Sequence, residues 1–293
     1  MLIIGCSKGR HIAQKVAKKA KTSYSELGVN KFPDGEIKVR IIANVSNKTV
    51  VLIQSFYENV NDCIIEVIFA AKTARDLNAK KIFLVAPYFP YLRQDKRFNS
   101  GECISIEAIA DIISKYFDGI YIIDPHLHRQ KSLSNLFSIK AEKLTANPLI
   151  AEYIQKNIKN PLIVGPDWES YKWARHVAEE IKCSYAILEK KRYSGRKVKV
   201  TLNKKIDMKG IKGKNIVFVD DIISTGNTIL ETAKKLRKLG AKKFICIGIH
   251  GILVENALQK LKKANINLIT TNTIQNKTSK IDVSGLVAKY VKP

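Results

Sequence analysis

Short apolar runs alternate with amphipathic stretches along the whole chain. The runs Leu2–Gly5, Thr49–Ser55, Lys81–Ala86, Gly119–Asp124, Leu162–Gly165, Tyr185–Glu189, Asn215–Val219, Phe244–His250 and Leu268–Thr271 have the length and composition of strands. Most are apolar almost without a break, as expected of strands covered on both faces. Between them, Val60–Leu77, Ile104–Tyr116, Pro148–Asn157, Ser170–Ile181, Thr228–Leu239 and Asn256–Ala264 carry helical spacing. Strand and helix in alternation predict βαβ units, hence an α/β fold of mainly parallel sheets flanked by helices. A boundary is expected between Ala141 and Pro148, after the polar stretch Arg129–Ser134, giving domains at 1–143 and 144–293. The two halves share a rhythm that hints at a duplicated architecture, without a recognisable sequence repeat.

Composition narrows the class. With 293 residues, 45% of them hydrophobic, the chain can bury two cores of ordinary size. No apolar run approaches the ~18 residues that span a bilayer. The start, Met-Leu-Ile-Ile-Gly-Cys, reads as a strand and lacks the layout of a signal peptide, so a cytoplasmic location and no membrane partner are expected. The five cysteines are scattered, with no Cys-x-x-Cys pair, which suits buried thiols rather than a zinc or redox site. The formal charge is +25, from 51 Lys+Arg against 26 Asp+Glu. The lysines are spread over helix faces and turns, so the excess favours phosphate-rich substrates and does not predict a nucleic-acid partner.

Candidate chemistry gathers where strands end. Ile216–Val219 runs into Asp220 and Asp221, placed at the expected strand end, followed by Ser224-Thr225-Gly226-Asn227-Thr228 and a helix. A loop of small residues that feeds a helix holds phosphate through backbone N–H groups and the helix dipole. Beside such a cup, two carboxylates could accept from vicinal hydroxyls, which describes a ribose 5-phosphate; a solvated turn capped by two Asp is the plainer alternative. The segment Lys31-Phe-Pro-Asp-Gly-Glu-Ile37 has turn chemistry before the alternating strand Ile37–Ile41. It could be a hairpin turn alone, but Phe32, Asp34 and Glu36 offer a ring face and acceptors suited to adenine. After Lys81–Val85, Arg93, Gln94, Lys96 and Arg97 follow aromatic residues, at the strand ends where α/β sheets take ligands; such guanidinium groups grip phosphate oxygens. Asp124-Pro-His-Leu-His128 ends another strand; two His two residues apart could chelate a transition metal, but with no third ligand evident nearby a single His in a magnesium–nucleotide site is the better reading, with His128 as a loop residue. Asp167, after Leu162–Gly165, can cap a helix or hold magnesium through water. Glu189-Lys-Lys-Arg-Tyr-Ser-Gly-Arg is locally a basic hairpin turn. His11, His176 and His250 read as structural.

Val-Asp-Asp-Ile-Ile-Ser-Thr-Gly-Asn-Thr resembles the ribose-phosphate loop of the phosphoribosyltransferase-type fold. The Phe-Pro-Asp-Gly-Glu segment, the Tyr-x-x-Tyr-x-Arg-Gln-Asp run with Lys96 at a cationic position, the Asp-Pro-His turn and the Pro-Asp at 166–167 follow in family order. Over nearly its whole length the chain resembles ribose-phosphate pyrophosphokinase, the phosphoribosyl pyrophosphate (PRPP) synthetase family, in its archaeal form. The resemblance implies two phosphoribosyltransferase-like domains, the first for ATP binding and oligomerisation, the second for ribose 5-phosphate, with the C-terminal segment packing back on the first. It implies transfer of the diphosphoryl group of ATP to the 1-hydroxyl of ribose 5-phosphate, in a homo-oligomer. ATP would be met by Arg93, Gln94, Asp95 and Arg97, and by Phe32, Asp34, Gly35 and Glu36 from a neighbouring subunit. The turn at 32–36 reads as lying outside the C-terminal strand ends that hold the other ligands, too far for its own chain's nucleotide. Ribose 5-phosphate would be met by Asp220, Asp221 and Ser224–Thr228, magnesium (Mg2+) by His126 and Asp167. Lys190 and Arg192 would be catalytic, on a mobile loop. Trp168-Glu169-Ser170 departs from the small residues usual in the family at those positions, so close backbone approach to a pyrophosphate is in question there. A silent regulatory subunit and a type I phosphoribosyltransferase are the rival readings.

Overall fold

A computed structural model describes residues 1–127, 132–166, 170–193, 197–202, 211 and 213–291. The chain divides into two units, Met1–Thr145 with Val283–Pro293, and Ala146–Asp282.

The first unit is built on strands β1 (Leu2–Gly5), β2 (Ser23–Lys31), β3 (Ile37–Ile41), β4 (Thr49–Ile53), β5 (Lys81–Ala86), β6 (Gly119–Ile123) and β7 (Lys140–Leu144), with helices α1 (Arg10–Ala20), α2 (Val60–Asp76) and α3 (Ser105–Tyr116). The second has α4 (Asn147–Asn157), β8 (Pro161–Gly165), α5 (Tyr171–Glu180), β9 (Tyr185–Tyr193), β10 (Lys197–Leu202), β11 (Asn215–Ile223), α6 (Asn227–Lys238), β12 (Lys243–Gly251), α7 (Ala257–Lys263), β13 (Ile266–Thr271) and β14 (Ser279–Ile281); α8 (Ser284–Tyr290) follows. The sheet orders are β3-β2-β1-β4-β5-β6-β7 and β10-β9-β8-β11-β12-β13-β14. These are the same order, position for position, and in each sheet only the first-named pair is antiparallel. The shared rhythm of the two halves is therefore a duplicated topology.

Every strand read from the sequence is present, with small shifts at the ends. β9 and β11 both run four residues past the predicted ends, to Tyr193 and Ile223. The strands not foreseen, β2, β7, β10 and β14, lie at or next to sheet edges. Half-covered strands need no apolar run: β7 reads Lys-Ala-Glu-Lys-Leu, with only Leu144 buried. Helix α1 was also missed, although Ile12, Ala13, Val16 and Ala17 form its buried stripe.

The second unit ends earlier than 144–293 implies. Val283 onward belongs to the first unit, where α8 packs on α1 and buries Val287 and Ala288. In the duplicated order α1 corresponds to α5, and α4 packs on α5 in the second unit as α8 packs on α1 in the first. The second unit opens with its packing helix, α4, whereas the first receives its own, α8, only after the second unit's final strand. Each core is apolar: Leu52, Phe56, Leu84 and Ile120 lie in one, Leu162, Phe218, Leu236 and Cys246 in the other.

Candidate functional site

In the second unit the carboxyl end of β11 carries the loop expected to receive ribose 5-phosphate. The sequence places Asp220 and Asp221 at a strand end, but β11 continues to Ile223, paired with β12 through Ile222↔His250 and Ile223↔Gly251. The side chains of adjacent strand residues leave on opposite faces. Asp220 is half-buried, whereas Asp221 is 4% exposed and its Oδ1 accepts from the N–H of Ile222 at 2.8 Å. The N–H of Asp221 donates to Oδ1 of Asp220 at 3.0 Å. Of the two, Asp220 has the greater access to a ligand. Gly226 then caps α6 at φ 73°, in the left-handed region glycine tolerates, and the Thr225 hydroxyl accepts from the N–H of Asn227 at 3.4 Å. A β-carbon at Gly226 would meet Leu261 of α7 at 3.3 Å. The loop is thus seated on α7, with the first amides of α6 at its mouth, an arrangement that receives an anion.

β8 lies between β9 and β11. Asp167, Trp168 and Glu169, past the end of β8, lie outside the described residues. Lys190 and Arg192 stand on β9 rather than in a loop, opposite Val200 and Val198 of antiparallel β10. The basic segment is a hairpin arm because β9 extends through it.

In the first unit β5 and β6 are neighbours, so the loops after them leave adjacent strand ends. The β5 loop is held by aromatic contacts: Phe89 packs edge-on to Phe56 at 5.5 Å and to Phe137 at 5.7 Å. The hydroxyl of Tyr91 donates to Asn61 at 2.6 Å, and Tyr91 itself has φ 61°. Beyond these anchors Arg93, Lys96 and Arg97 are exposed, and Gln94 and Asp95 half-buried. The Ser105 hydroxyl donates to Oε1 of Gln94 at 2.8 Å, which leaves the amide NH2 as the outward donor. Glu102 accepts from the N–H groups of Phe98 and Asn99 and from the Asn99 side chain, and these bonds hold its carboxyl below the usual range. On the β6 side Asp124 is buried at φ 37°, and His126 is 9% exposed. A carboxylate residue in left-handed backbone is a strained position of the kind that collects at functional sites. His128 lies outside the described residues. Among the described residues no three His, Cys, Asp or Glu side chains gather where they could hold a metal ion.

Phe32–Glu36 form the tip of the β2–β3 hairpin. The N–H of Phe32 donates to the carbonyl of Glu36, that of Gly35 to the carbonyl of Phe32, and that of Glu36 to Oδ1 of Asp34. Gly35 sits at φ 98°. Phe32 is 47% exposed. The location read from the sequence needs correction. β2 is parallel to β1, with Gly5 opposite Glu26, so the tip points to the same end of the sheet as the ligand loops. β2 runs on from Glu26 to Lys31, which carries the tip ~16 Å beyond β1 at the usual strand rise. An ion pair between Lys31 and Asp62, 2.7 Å, ties the arm to the start of α2.

One cluster had no counterpart in the sequence reading. Between the carboxyl ends of β1 and β4, Ser7 donates to Glu66 from N–H at 2.7 Å and from its hydroxyl at 2.6 Å. The N–H of Lys8 donates to Oε1 of Gln54, and Nε2 of Gln54 to the Ser7 hydroxyl. Glu66 is 3% exposed, and burial raises its pKa against these hydrogen bonds. Burial and the same carboxylate push the Cys63 thiol up to about 12 and Cys6 well upward, so neither is a reactive thiol. The sequence signal was available: Glu66 sits on the buried stripe Cys63, Val67, Ala70 of α2. Of the five cysteines only Cys6, Cys63 and Cys246 are buried; Cys103 is exposed and Cys183 intermediate, against the expectation of buried thiols throughout.

Residues 1–116 match the model for the N-terminal domain of ribose phosphate pyrophosphokinase, and residues 132–284 the phosphoribosyl transferase domain. The chain is 37% identical over 284 residues to the ribose-phosphate pyrophosphokinase of Pyrococcus furiosus, covering 97% of each. It belongs to the ribose-phosphate pyrophosphokinase family. The enzyme of that name from Sulfolobus acidocaldarius is 33% identical over 299 residues, covering 99% of this chain and all of that one. The crystal structure of phosphoribosylpyrophosphate synthetase from Mycobacterium smegmatis superposes with a TM-score of 0.85 at 25% identity, over 99% of this chain and 97% of that one. This ribose-phosphate pyrophosphokinase family member is an enzyme of PRPP synthesis. No helix among the described residues is long and apolar enough to cross a membrane.

Proposed function

We propose that the chain transfers the β,γ-diphosphoryl group of ATP to ribose 5-phosphate. The 1-hydroxyl oxygen of the sugar attacks the β-phosphorus, the bond from that phosphorus to the oxygen bridging the α-phosphate breaks, and AMP leaves with that oxygen. The hydroxyl proton is released. The Gly226-led start of α6 at the end of β11, beside Asp220, is the observation that carries the sugar-phosphate half. The amides of Ser224–Thr228 receive the 5-phosphate, and Asp220, the more accessible of the two carboxylates, orients the ribose hydroxyls, with the buried Asp221 shaping the strand end behind it. Arg93, Arg97 and the outward NH2 of Gln94 grip the nucleotide's phosphates, with Asp95 in the same loop. Lys190 and Arg192 meet the charge that develops on the transferring group; such catalysis is mostly positioning and electrostatics.

The resemblance assigns magnesium to the buried imidazole of His126 and to Asp167, which lies outside the described residues. A cation held by these residues would keep water and phosphate oxygens as its other ligands. It would supply charge neutralisation across the phosphates. The hairpin tip, with Phe32, Asp34 and Glu36 exposed, serves the nucleotide of a neighbouring subunit, so the active species is a homo-oligomer with shared ATP sites.

The test is AMP release from ATP and ribose 5-phosphate with Mg2+ present. AMP formed in step with PRPP supports the reading. No AMP, but a nucleotide formed from PRPP and a free base, would make the chain a phosphoribosyltransferase. Substrate binding without either product would make it a silent subunit.

A further inference from the structure

His250 is buried, 2% exposed, at the carboxyl end of β12 and directly opposite Ile222 of β11. Its Nδ1 lies 3.0 Å from Oγ1 of Thr273. The Thr273 hydroxyl also lies 2.9 Å from the carbonyl of Ile249 and 3.0 Å from the Thr271 hydroxyl, so the donor in its hydrogen bond with the histidine follows the imidazole tautomer. The Thr271 hydroxyl reaches the same carbonyl at 2.7 Å and accepts the N–H of Thr273 at 3.1 Å. Asn276 donates to the carbonyl of Gly251 at 3.3 Å.

This buried polar network holds residues 249–251, and the next two residues hold the ribose-phosphate loop. The N–H groups of Ile252 and Leu253 both donate to the carbonyl of Ile223, the last residue of β11, at 3.0 and 3.1 Å. Leu253 does so at φ 56°, a left-handed conformation a leucine adopts only when its surroundings impose it. The Ile223 side chain lies over Gly248, where an added β-carbon would stand 2.3 Å from it. Apolar side chains would fill this space with no polar groups to satisfy. A satisfied polar network specifies one geometry instead, and here that geometry is the exit of β11 into Ser224–Thr228.

We propose that His250 is a positioning residue for ribose 5-phosphate: through Thr273 and the clamp on Ile223 it fixes the loop that receives the 5-phosphate. The inference rests on the reading of that loop given above. In the full-length enzyme, His250→Leu should raise KM for ribose 5-phosphate about tenfold, the worth of one lost hydrogen-bonded contact. KM for ATP and kcat should stay within about twofold, since binding is lost equally in ground and transition states. His250→Asn, whose amide NH2 can donate to Thr273, should recover most of the loss. Thr273→Val should act in the same direction and serves if His250→Leu does not fold, as judged by thermal unfolding. A folded His250→Leu or Thr273→Val enzyme with unchanged KM for ribose 5-phosphate overturns the proposal. So does an equal loss for both substrates, or a folded His250→Asn enzyme no better than His250→Leu. Asp220→Ala is measured in parallel. If it leaves ribose 5-phosphate untouched, the site reading itself fails; if it weakens ribose 5-phosphate while the His250 variants do not, only the positioning role fails.

Discussion

Lys190 and Arg192 stand two residues apart on one strand, paired with Val200 and Val198 of β10. A cation pair on a hairpin arm can approach a transferring group together. Each is expected to matter most when charge has developed. Lys190→Ala and Arg192→Ala should each lower kcat by roughly a hundredfold or more while nucleotide affinity stays near normal. Turnover from single-turnover mixing and affinity from equilibrium titration separate the two effects. Near-normal turnover in either variant removes that residue from the chemistry. Both residue types stood in plain view in Glu189-Lys-Lys-Arg-Tyr-Ser-Gly-Arg. Their backbone setting did not, because a basic turn and a basic strand carry the same residue types.

At the scale of elements, α2 brings one carboxylate into an otherwise apolar interface and uses it to tie β1 to the helix. Glu66 takes both donors of Ser7, and Gln54 takes the N–H of Lys8. Burial raises the Glu66 pKa, so the folded chain holds that proton more tightly than the unfolded one. The stability it brings is complete below the ordinary carboxylate range and declines as pH rises through the raised value. Glu66→Gln removes the titration. Relative to that variant, the wild type should therefore lose stability as pH climbs from about 4 towards neutrality, read from urea midpoints across pH. A flat difference would mean the carboxyl titrates alike in both states. Glu66→Leu should cost about 2–4 kcal/mol at any pH, because it strands the Ser7 and Gln54 donors. The sequence showed α2 as a helix, but a glutamate on an apolar stripe becomes informative only when the strand ends facing it are known.

At the scale of the molecule, the first unit is not closed by one continuous segment of chain. The apolar stripe of α1 is covered by α8, which follows the last strand of the second unit. Ending the chain at Asp282 uncovers that stripe and strands the burial of Val287 and Ala288. The truncation should destabilise the first unit by about 2–4 kcal/mol and leave the second nearly unchanged. Hydrogen exchange resolved by segment checks this: faster exchange in β1 and α1, with β11 and β12 unaltered. Equal loss in both units would contradict it. Assembly is tested by mixing two inactive proteins, Phe32→Ala/Asp34→Ala and Lys190→Ala. Once subunit exchange has been demonstrated, part of the activity should return, because some mixed sites receive both good halves. No recovery after proven exchange would confine the hairpin tip to its own chain's site or to the fold.

The apolar runs alone determined the central strands of both sheets, since strands buried on both faces must be apolar along their length and show it. The order of motifs likewise determined the family. Tertiary structure alone decided where polar and edge segments belong. β2, β7 and β14 have too little burial to mark themselves, and β10 is an edge strand. Asp221 turns inward because β11 continues four residues beyond its apolar stretch, paired to β12. The tip at Phe32 points toward the ligand end because β2 runs parallel to β1, a fact of pairing that no local pattern encodes. His250 reads as a structural residue until its neighbours Ile222 and Thr273, distant in sequence, are brought to either side of it. Local pattern records how much of a side chain is buried; only the folded chain records against what.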